Sequence, residues 1–221
     1  MTTPEHRTNG PRVAAIAASA ALLFAISAAA QSVRYEPRPT GSKVSIDGTS
    51  TLHKWTVDSP TVVGFIEADS GFPESALTDS KAAKPNVQVS IPVESLKSFS
   101  EMMDEVMQDH MDMAKYPLIE YRLVELKPKS APGAPGPLAF DAVGTLTVSG
   151  TTQAITMPVT IERVDRTAIR ISGSAPLKMT DFGIEPPAPR ILGMPTIRTG
   201  NDVKISFEWL LAAKPRSAAK Q

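Results

Sequence analysis

The sequence predicts an all-β domain, a closed antiparallel barrel of about eight strands covered by one amphipathic helix. From residue 33 onward, apolar and polar residues alternate in successive segments, which is typical of strands with one buried face. Only one segment, 98–116, has helical periodicity instead. The late alternating segments are about ten residues long, which favours a barrel over a sandwich, and such a barrel can hold one small ligand.

The first thirty residues are expected to lie outside this fold. Arg7 and Arg12 precede an alanine-rich run, Val13 to Ala30, that ends in three alanines. A basic start, an apolar run and a small-residue end are typical of a secretory signal peptide. The run is also just long enough to span a bilayer, so an uncleaved anchor stays open, but its weak hydrophobicity favours cleavage.

These features predict three parts of the chain. We expect a signal peptide at 1–30, a barrel domain at 31–213 and a disordered basic tail at 214–221. The protein is then periplasmic or secreted, with no stable membrane insertion after cleavage. The sequence leaves open whether the domain is a monomer or a homodimer.

Composition excludes several classes of function. The chain has 23 basic and 23 acidic residues, whereas binding nucleic acid needs a basic surface. Because it contains no cysteine, it has no disulfide, no thiolate chemistry and no cysteine for lipid attachment. Past the signal segment only His53 and His110 remain, too few for a site of three imidazoles, and no nucleophile-elbow sequence is present. We therefore expect neither an enzyme nor a resident cofactor.

Before the helical segment, alternation predicts strands at 43–47, 51–57, 62–67 and 87–91. Between them, 70–85 is small and polar and is expected to be a surface excursion. After the helix, strands are expected at 119–124, 138–149, 155–161, 169–177 and 203–211. The interval 128–137 is rich in proline and glycine and predicts a loop.

The segment from Ser98 to Tyr116 is the predicted helix. Ser98 and Glu101 have capping-box spacing, and Tyr116-Pro117 ends the segment. At 100° per residue the apolar side holds Phe99, Met102, Met103, Val106, Met107, His110, Met113 and Ala114, with Met111 extending it. The opposite side holds Glu101, Asp104, Glu105, Gln108, Asp109 and Asp112, and is expected to face water. Methionine adapts to more than one partner shape, so the helix is interpreted as a lid over an apolar ligand, with packing on an ordinary core as the alternative.

Three stretches resemble one family, the YceI-like proteins. They are 46–55, which contains Gly-Thr-Ser-Thr-Leu-His-Lys-Trp; 103–121, which contains Met-Asp and, at its end, Lys-Tyr-Pro-Leu-Ile-Glu-Tyr; and 144–152, Gly-Thr-Leu-Thr-Val-Ser-Gly-Thr-Thr. The resemblance implies a secreted bacterial, lipocalin-like barrel that binds isoprenoid lipids and has no agreed catalytic residues. His110, where the family commonly has a small residue, and the larger Met113 are departures.

An isoprenoid, or a similar quinone-like lipid, is therefore the predicted ligand. A tail of roughly forty carbons has a gross burial free energy of about 30 kcal/mol, so binding needs no polar hot spot. Trp55 and His110 are the candidates that would fix a headgroup at the mouth. The predicted cavity and lid residues are Trp55, Phe99, Met103, Val106, Met107, His110, Met157, Ile205 and Phe207.

Two other functions remain open at this point. Met107, His110, Met111 and Met113 offer soft ligands that suit Cu(I), although they lie on different flanks of the helix. Alternatively, the barrel is packed solid and serves as an interaction module, with the helix face as ordinary core. Cavity volume distinguishes this last case.

Overall fold

The structure, a computed structural model, describes residues 32–188 and 197–214. The predicted signal peptide, most of the predicted tail and residues 189–196 lie outside the described residues. The elements are β1 (Ser32–Pro37), β2 (Lys43–Ser50), β3 (Lys54–Ser59), β4 (Val63–Asp69), β5 (Asn86–Pro92), α1 (Glu101–His110), β6 (Leu118–Pro128), β7 (Leu138–Val148), β8 (Thr151–Arg163), β9 (Ala168–Lys178) and β10 (Thr199–Ala213), with short 3-10 helices at Glu74–Leu77, Val93–Ser95 and Met179–Phe182. No helix in these two ranges is long and apolar enough to cross a membrane.

The strands form one antiparallel sheet that closes into an eight-strand barrel. The long strand β10 pairs with β2 along its first part and with β1 at its end, where Tyr35 lies opposite Ala213. β1 and β2 follow each other along the chain and together fill one position in the wall, and β3 and β4 together fill the next, because β3 pairs with β2 and β4 pairs with β1. The segment with Pro39 separates β1 from β2, and the segment with Pro60 separates β3 from β4. The predicted closed barrel with one helix is confirmed.

Alternation along the strands decides which side chains face inward. In β7 every second residue from Leu138 to Val148 is buried, and the residues between are only partly buried. The inward side chains belong to one large apolar cluster that includes Ile66, Phe140 and Leu211. The interior is therefore lined by aliphatic and aromatic side chains.

The segment between β4 and β5 closes one end of the barrel. Phe72 is fully buried within the main cluster, together with Ala76 and Ala83. Arg163, at the end of β8, donates hydrogen bonds to the Phe72 carbonyl at 2.6 Å and to the Glu74 carboxylate at 2.7 Å. The Arg163 guanidinium holds the pKa of Glu74 below its ordinary value. The predicted surface excursion was only partly right. Residues 78–81 are exposed, whereas Phe72, Pro73, Ala76, Ala83 and Pro85 are buried, which isolated apolar residues in a polar segment do not reveal.

The helix lies at the other end and is shorter than predicted. It begins after Ser100, not Ser98, and the predicted capping box does not form. Instead, the Ser98 N–H donates to the buried carboxylate of Asp104 at 2.7 Å. The helix ends at His110, and Asp112 then adopts a left-handed conformation with φ of 51° that turns the chain away.

Replacing Phe72 tests the closed end. Phe72→Ala is expected to lower the free energy of unfolding by about 3–5 kcal/mol, because it leaves a cavity under the segment. The matched control is Phe99→Ala, where the ring is 80% exposed, with an expected change within about 0.5 kcal/mol. Urea unfolding followed by tryptophan fluorescence measures both. Equal effects would mean that Phe72 does not close the barrel.

Candidate functional site

Two adjoining cavities lie between the helix and the closed end. The inner cavity, of about 110 Å³, is inside the barrel. The outer cavity, of about 340 Å³, is between α1 and the barrel. Ile46, Ile119, Leu177 and Ile205 line both, so the two cavities adjoin and are separated only by apolar side chains. One water molecule needs a cavity of about 10–15 Å³, and even the inner cavity has several times that volume. The barrel is therefore not packed solid.

The methionine-rich face of α1 lines the outer cavity, as its role as a lid requires. Met103, Val106 and Met107 line it and are only partly buried, and Met102 lines it while 64% exposed. The helix is instead held on its other flank, where Asp104 is 6% exposed. Much of the face that the sequence identifies as apolar therefore meets the cavity, while Met107 and Met113 also pack against the smaller apolar cluster.

Asp104 and Gln108 correct the prediction that the polar side of the helix faces water. The Asp104 carboxylate accepts the Ser98 N–H and lies 3.8 Å from the Lys97 ammonium, so this buried charge is paired. The Gln108 side-chain nitrogen is also buried. A helical wheel cannot show this, because the partners of Asp104 lie in the segment before the helix.

The structure brings most of the predicted site residues together. Trp55, Met103, Val106, Met107 and His110 line the outer cavity, Met157 and Phe207 line the inner one, and Ile205 lines both. Phe99 lines neither. Contact of these residues with a ligand stays a prediction.

Sequence reasoning missed part of the lining. In the inner cavity it missed Phe72 and Tyr121, and in the outer cavity Leu177, Met179, Phe182 and Ile184. Trp209, which the sequence gives as core or cavity wall, lines the inner cavity. Alternation along β9 could have identified Leu177. The others in the outer cavity follow β9 in a 3-10 helix and a loop, which are too short to show periodicity.

Trp55 is positioned by the first of the three recognised stretches. It lies opposite Gly48, where a Cβ would come within 2.1 Å of the indole, so only glycine fits beneath the ring. Its Nε1 donates to the Thr49 carbonyl at 3.0 Å. Because this N–H is already used within the protein, Trp55 offers the cavity a ring face and not the predicted headgroup donor.

The second and third stretches meet beside the helix. The Tyr116 ring packs on Gly150, whose φ of +74° and missing side chain both suit glycine. Ser149 donates from its hydroxyl to the Met111 carbonyl at 2.9 Å, next to the C-terminal end of α1. The sequence similarity in these stretches therefore coincides with contacts that position the helix.

His110 joins the helix to the segment after β9. Its Nδ1 lies 3.0 Å from the Glu185 carbonyl oxygen, and its side chain is exposed. Met111, in contrast, is 7% exposed and packs in the smaller apolar cluster. Within the described ranges, no group of three or more His, Cys, Asp or Glu side chains is placed to hold a metal ion.

The inner cavity contains two polar atoms of particular interest. The Tyr121 hydroxyl and the Trp209 Nε1 are buried and have no hydrogen-bond partner among the described residues. Burial raises the pKa of Tyr121 to about 12, because the phenolate would be poorly solvated there.

Comparison with known proteins gives a family and a fold. The model of the YceI-like domain matches residues 35–210. BcnA from Burkholderia cenocepacia has a similar structure, with a TM-score of 0.59 and 20% identity over 76% of this chain and 95% of that one. A polyisoprenoid binding domain from Saccharophagus degradans, implicated in plant cell wall breakdown, has a TM-score of 0.59 and 16% identity over 81% of this chain and 98% of that one. At these identities the two structures establish the fold. The comparison with curated proteins gave no match.

Removing the Asp104 carboxylate is expected to loosen the helix. Asp104→Ala leaves the Ser98 N–H without its acceptor, so amide protons of α1 should exchange about tenfold faster, equivalent to about 1.4 kcal/mol. Asp109→Ala, an exposed carboxylate of the same helix, is the control and should change little. Hydrogen exchange read by mass spectrometry measures both. Unchanged exchange in Asp104→Ala would show that this flank does not hold the helix.

Because the Tyr121 hydroxyl is buried, we expect the free energy of unfolding to fall at alkaline pH. Its pKa is about 12 in the folded protein and 10.0 ordinarily, so folding favours the protonated phenol. The protonated phenol therefore contributes on the order of 2 kcal/mol to the free energy of unfolding. This contribution is complete below pH 10 and is lost as the pH rises to 12. Over this interval wild type should lose more free energy of unfolding than Tyr121→Phe. Identical pH profiles would contradict the burial of the phenol.

Proposed function

The chain belongs to the YceI-like family, and on this premise we propose that it is a binding protein, not an enzyme, that carries an isoprenoid or similar long-chain amphiphile. The observation that carries this proposal is the pair of adjoining, largely apolar cavities under α1, onto which the helix presents methionine and valine side chains. The ligand chain occupies the inner and outer cavities, and the helix covers it.

Physical chemistry supports a hydrocarbon as the occupant. Each carbon moved from water into such a space contributes about 0.8 kcal/mol, so a long chain binds without charged contacts. The thioethers of Met103 and Met107 adapt to the branched methyl groups of a polyprenyl chain. The Saccharophagus degradans domain, which shares the fold, is named for polyisoprenoid binding, and this supports the same class of ligand here.

A location in the periplasm or outside the cell fits this role. The segment 1–30 has the composition of a signal peptide, and in our proposal it is removed before the barrel folds. A lipid that crosses an aqueous compartment needs its hydrocarbon shielded from water. The barrel supplies this shielding, since its sheet is closed and its Phe72 end is covered.

The cavities also bear on the alternative of a ligand-free interaction module. That alternative requires a solid interior and a helix face packed as core. An outer cavity of about 340 Å³ beneath Met103, Val106 and Met107 favours ligand binding instead.

Filling the outer cavity tests the proposal. Val203 lines it, and Lys204, the next residue of β10, is exposed on the outer surface. Val203→Trp should weaken binding of tritiated geranylgeraniol by about tenfold or more, because the indole takes space worth at least two buried carbons. Lys204→Trp, the matched control, should bind as wild type does.

Gel filtration of the protein with bound label measures the affinity, and thermal unfolding checks that both variants are folded. Binding to a folded Val203→Trp at wild-type affinity would place the ligand elsewhere. A failure of the wild-type protein to bind the prenol or any long-chain lipid would refute the proposed function.

A further inference from the structure

Two hydrogen-bond donors in the inner cavity are not explained by a purely hydrocarbon ligand. Trp209 is 3% exposed, and its Nε1 has no hydrogen-bond partner among the described residues. Tyr121 is only partly buried as a residue, but its hydroxyl oxygen is buried and likewise has no partner among them. Both side chains line the inner cavity. A buried donor without an acceptor destabilises a protein, and native structures contain few of them. Two in one cavity therefore point to an acceptor that is brought by the ligand.

The barrel wall is shaped around the Tyr121 phenol. The ring lies over Gly144 of β7, where a Cβ would come within 2.5 Å of the hydroxyl oxygen. Phenylalanine would fill the same space without the unpaired hydroxyl. Packing alone therefore does not account for a tyrosine at this position.

The two donors face the lumen from opposite sides and at different depths. In the order of strands around the wall, β6 and β10 lie four positions apart, which is half of the eight-strand barrel. Tyr121 is two residues from Ile119, which also lines the outer cavity, whereas Trp209 is four residues beyond Ile205. Along its strand, Trp209 therefore lies further from the outer cavity than Tyr121 does.

The residues that line the inner cavity limit which kinds of acceptor group can lie there. An indole N–H can only donate, so its partner must be an acceptor. Among the described residues that line the inner cavity none is charged. A phosphate, diphosphate or carboxylate would lie there as an unpaired buried charge, which is strongly unfavourable. A neutral oxygen, such as a carbonyl or an ether, satisfies the donors without a counter-charge.

We propose that the inner cavity is a subsite for a neutral oxygen acceptor of the lipid, which has two donors available to it, Tyr121 nearer the helix and Trp209 deeper in the barrel. The inference rests on the proposed lipid-binding function and deepens it. The ligand enters with its oxygen-bearing end first, and its hydrocarbon lies under Met103, Val106 and Met107. This orientation is the reverse of the one predicted from sequence, in which His110 and Trp55 fix a headgroup at the mouth.

A ketone and its matched hydrocarbon test this subsite. The probes are geranylgeranylacetone and the same polyprenyl chain with a methylene group in place of the carbonyl. Wild type should bind the ketone about fivefold to tenfold more tightly than the hydrocarbon, the range for one or two neutral hydrogen bonds. Tyr121→Phe should reduce ketone affinity about fivefold and leave hydrocarbon affinity unchanged. Tyr116→Phe, at a tyrosine outside both cavities, is the matched control.

Tryptophan fluorescence tests the Trp209 contact without replacement of the buried indole. The chain has two tryptophans, so Trp55→Phe leaves Trp209 as the only one. Its emission should shift to longer wavelength with the ketone, because the Nε1–H then donates to the carbonyl, and should not shift with the hydrocarbon. The midpoint of thermal unfolding of ligand-free Tyr121→Phe should lie above that of wild type, since an unpaired hydroxyl is removed.

The outcomes separate the two proposals. Equal affinity of wild type for ketone and hydrocarbon would overturn the subsite and leave the lipid-binding function standing. A ketone preference that survives in Tyr121→Phe, with no shift of Trp209 emission, would place the acceptor elsewhere and also overturn it. Binding of neither probe, nor of any other long-chain lipid, would overturn both.

Discussion

Closure of the sheet is the constraint on which the rest of the structure depends. Pairing of the end of β10 with β1 closes the sheet and gives every strand one face directed to a common interior. In an eight-strand barrel that interior is only wide enough for side chains or one slender ligand. Apolar inward residues, with Phe72 across one end, turn this geometry into a hydrocarbon-lined space that is entered from the helix end.

The placement of the helix decides what this space can do. Asp104 holds one flank of α1 through the Ser98 N–H, and Ser149 holds the chain beyond its end through the Met111 carbonyl. With those contacts made on one side, the methionine-bearing side is left over the outer cavity. A flexible apolar surface above a largely apolar space suits a chain-like ligand, and the inner cavity adds two buried donors without a partner among the described residues. The proposed binding of a long lipid by one end rests on these two features together.

Sequence reasoning predicted the wall and the lid, because periodicity reports directly which side of a strand or helix is apolar. It gave Met157, Ile205 and Phe207 as inward residues, and they line the inner cavity. It could not give Phe72 or the burial of Asp104, since each depends on one contact with a distant or irregular segment. Nor could it distinguish Trp55 from Trp209, because alternation shows that a side chain points inward but not whether its N–H finds a partner.

The most direct test of the central claim is to ask what the native protein contains. The full chain should be purified without detergent from the cells that produce it, extracted with organic solvent and analysed by mass spectrometry. We expect close to one long-chain lipid per protein, of prenyl or similar type, with a neutral oxygen group. Recovery of no lipid, together with no uptake of added prenol or prenyl ketone, would contradict a ligand-holding barrel.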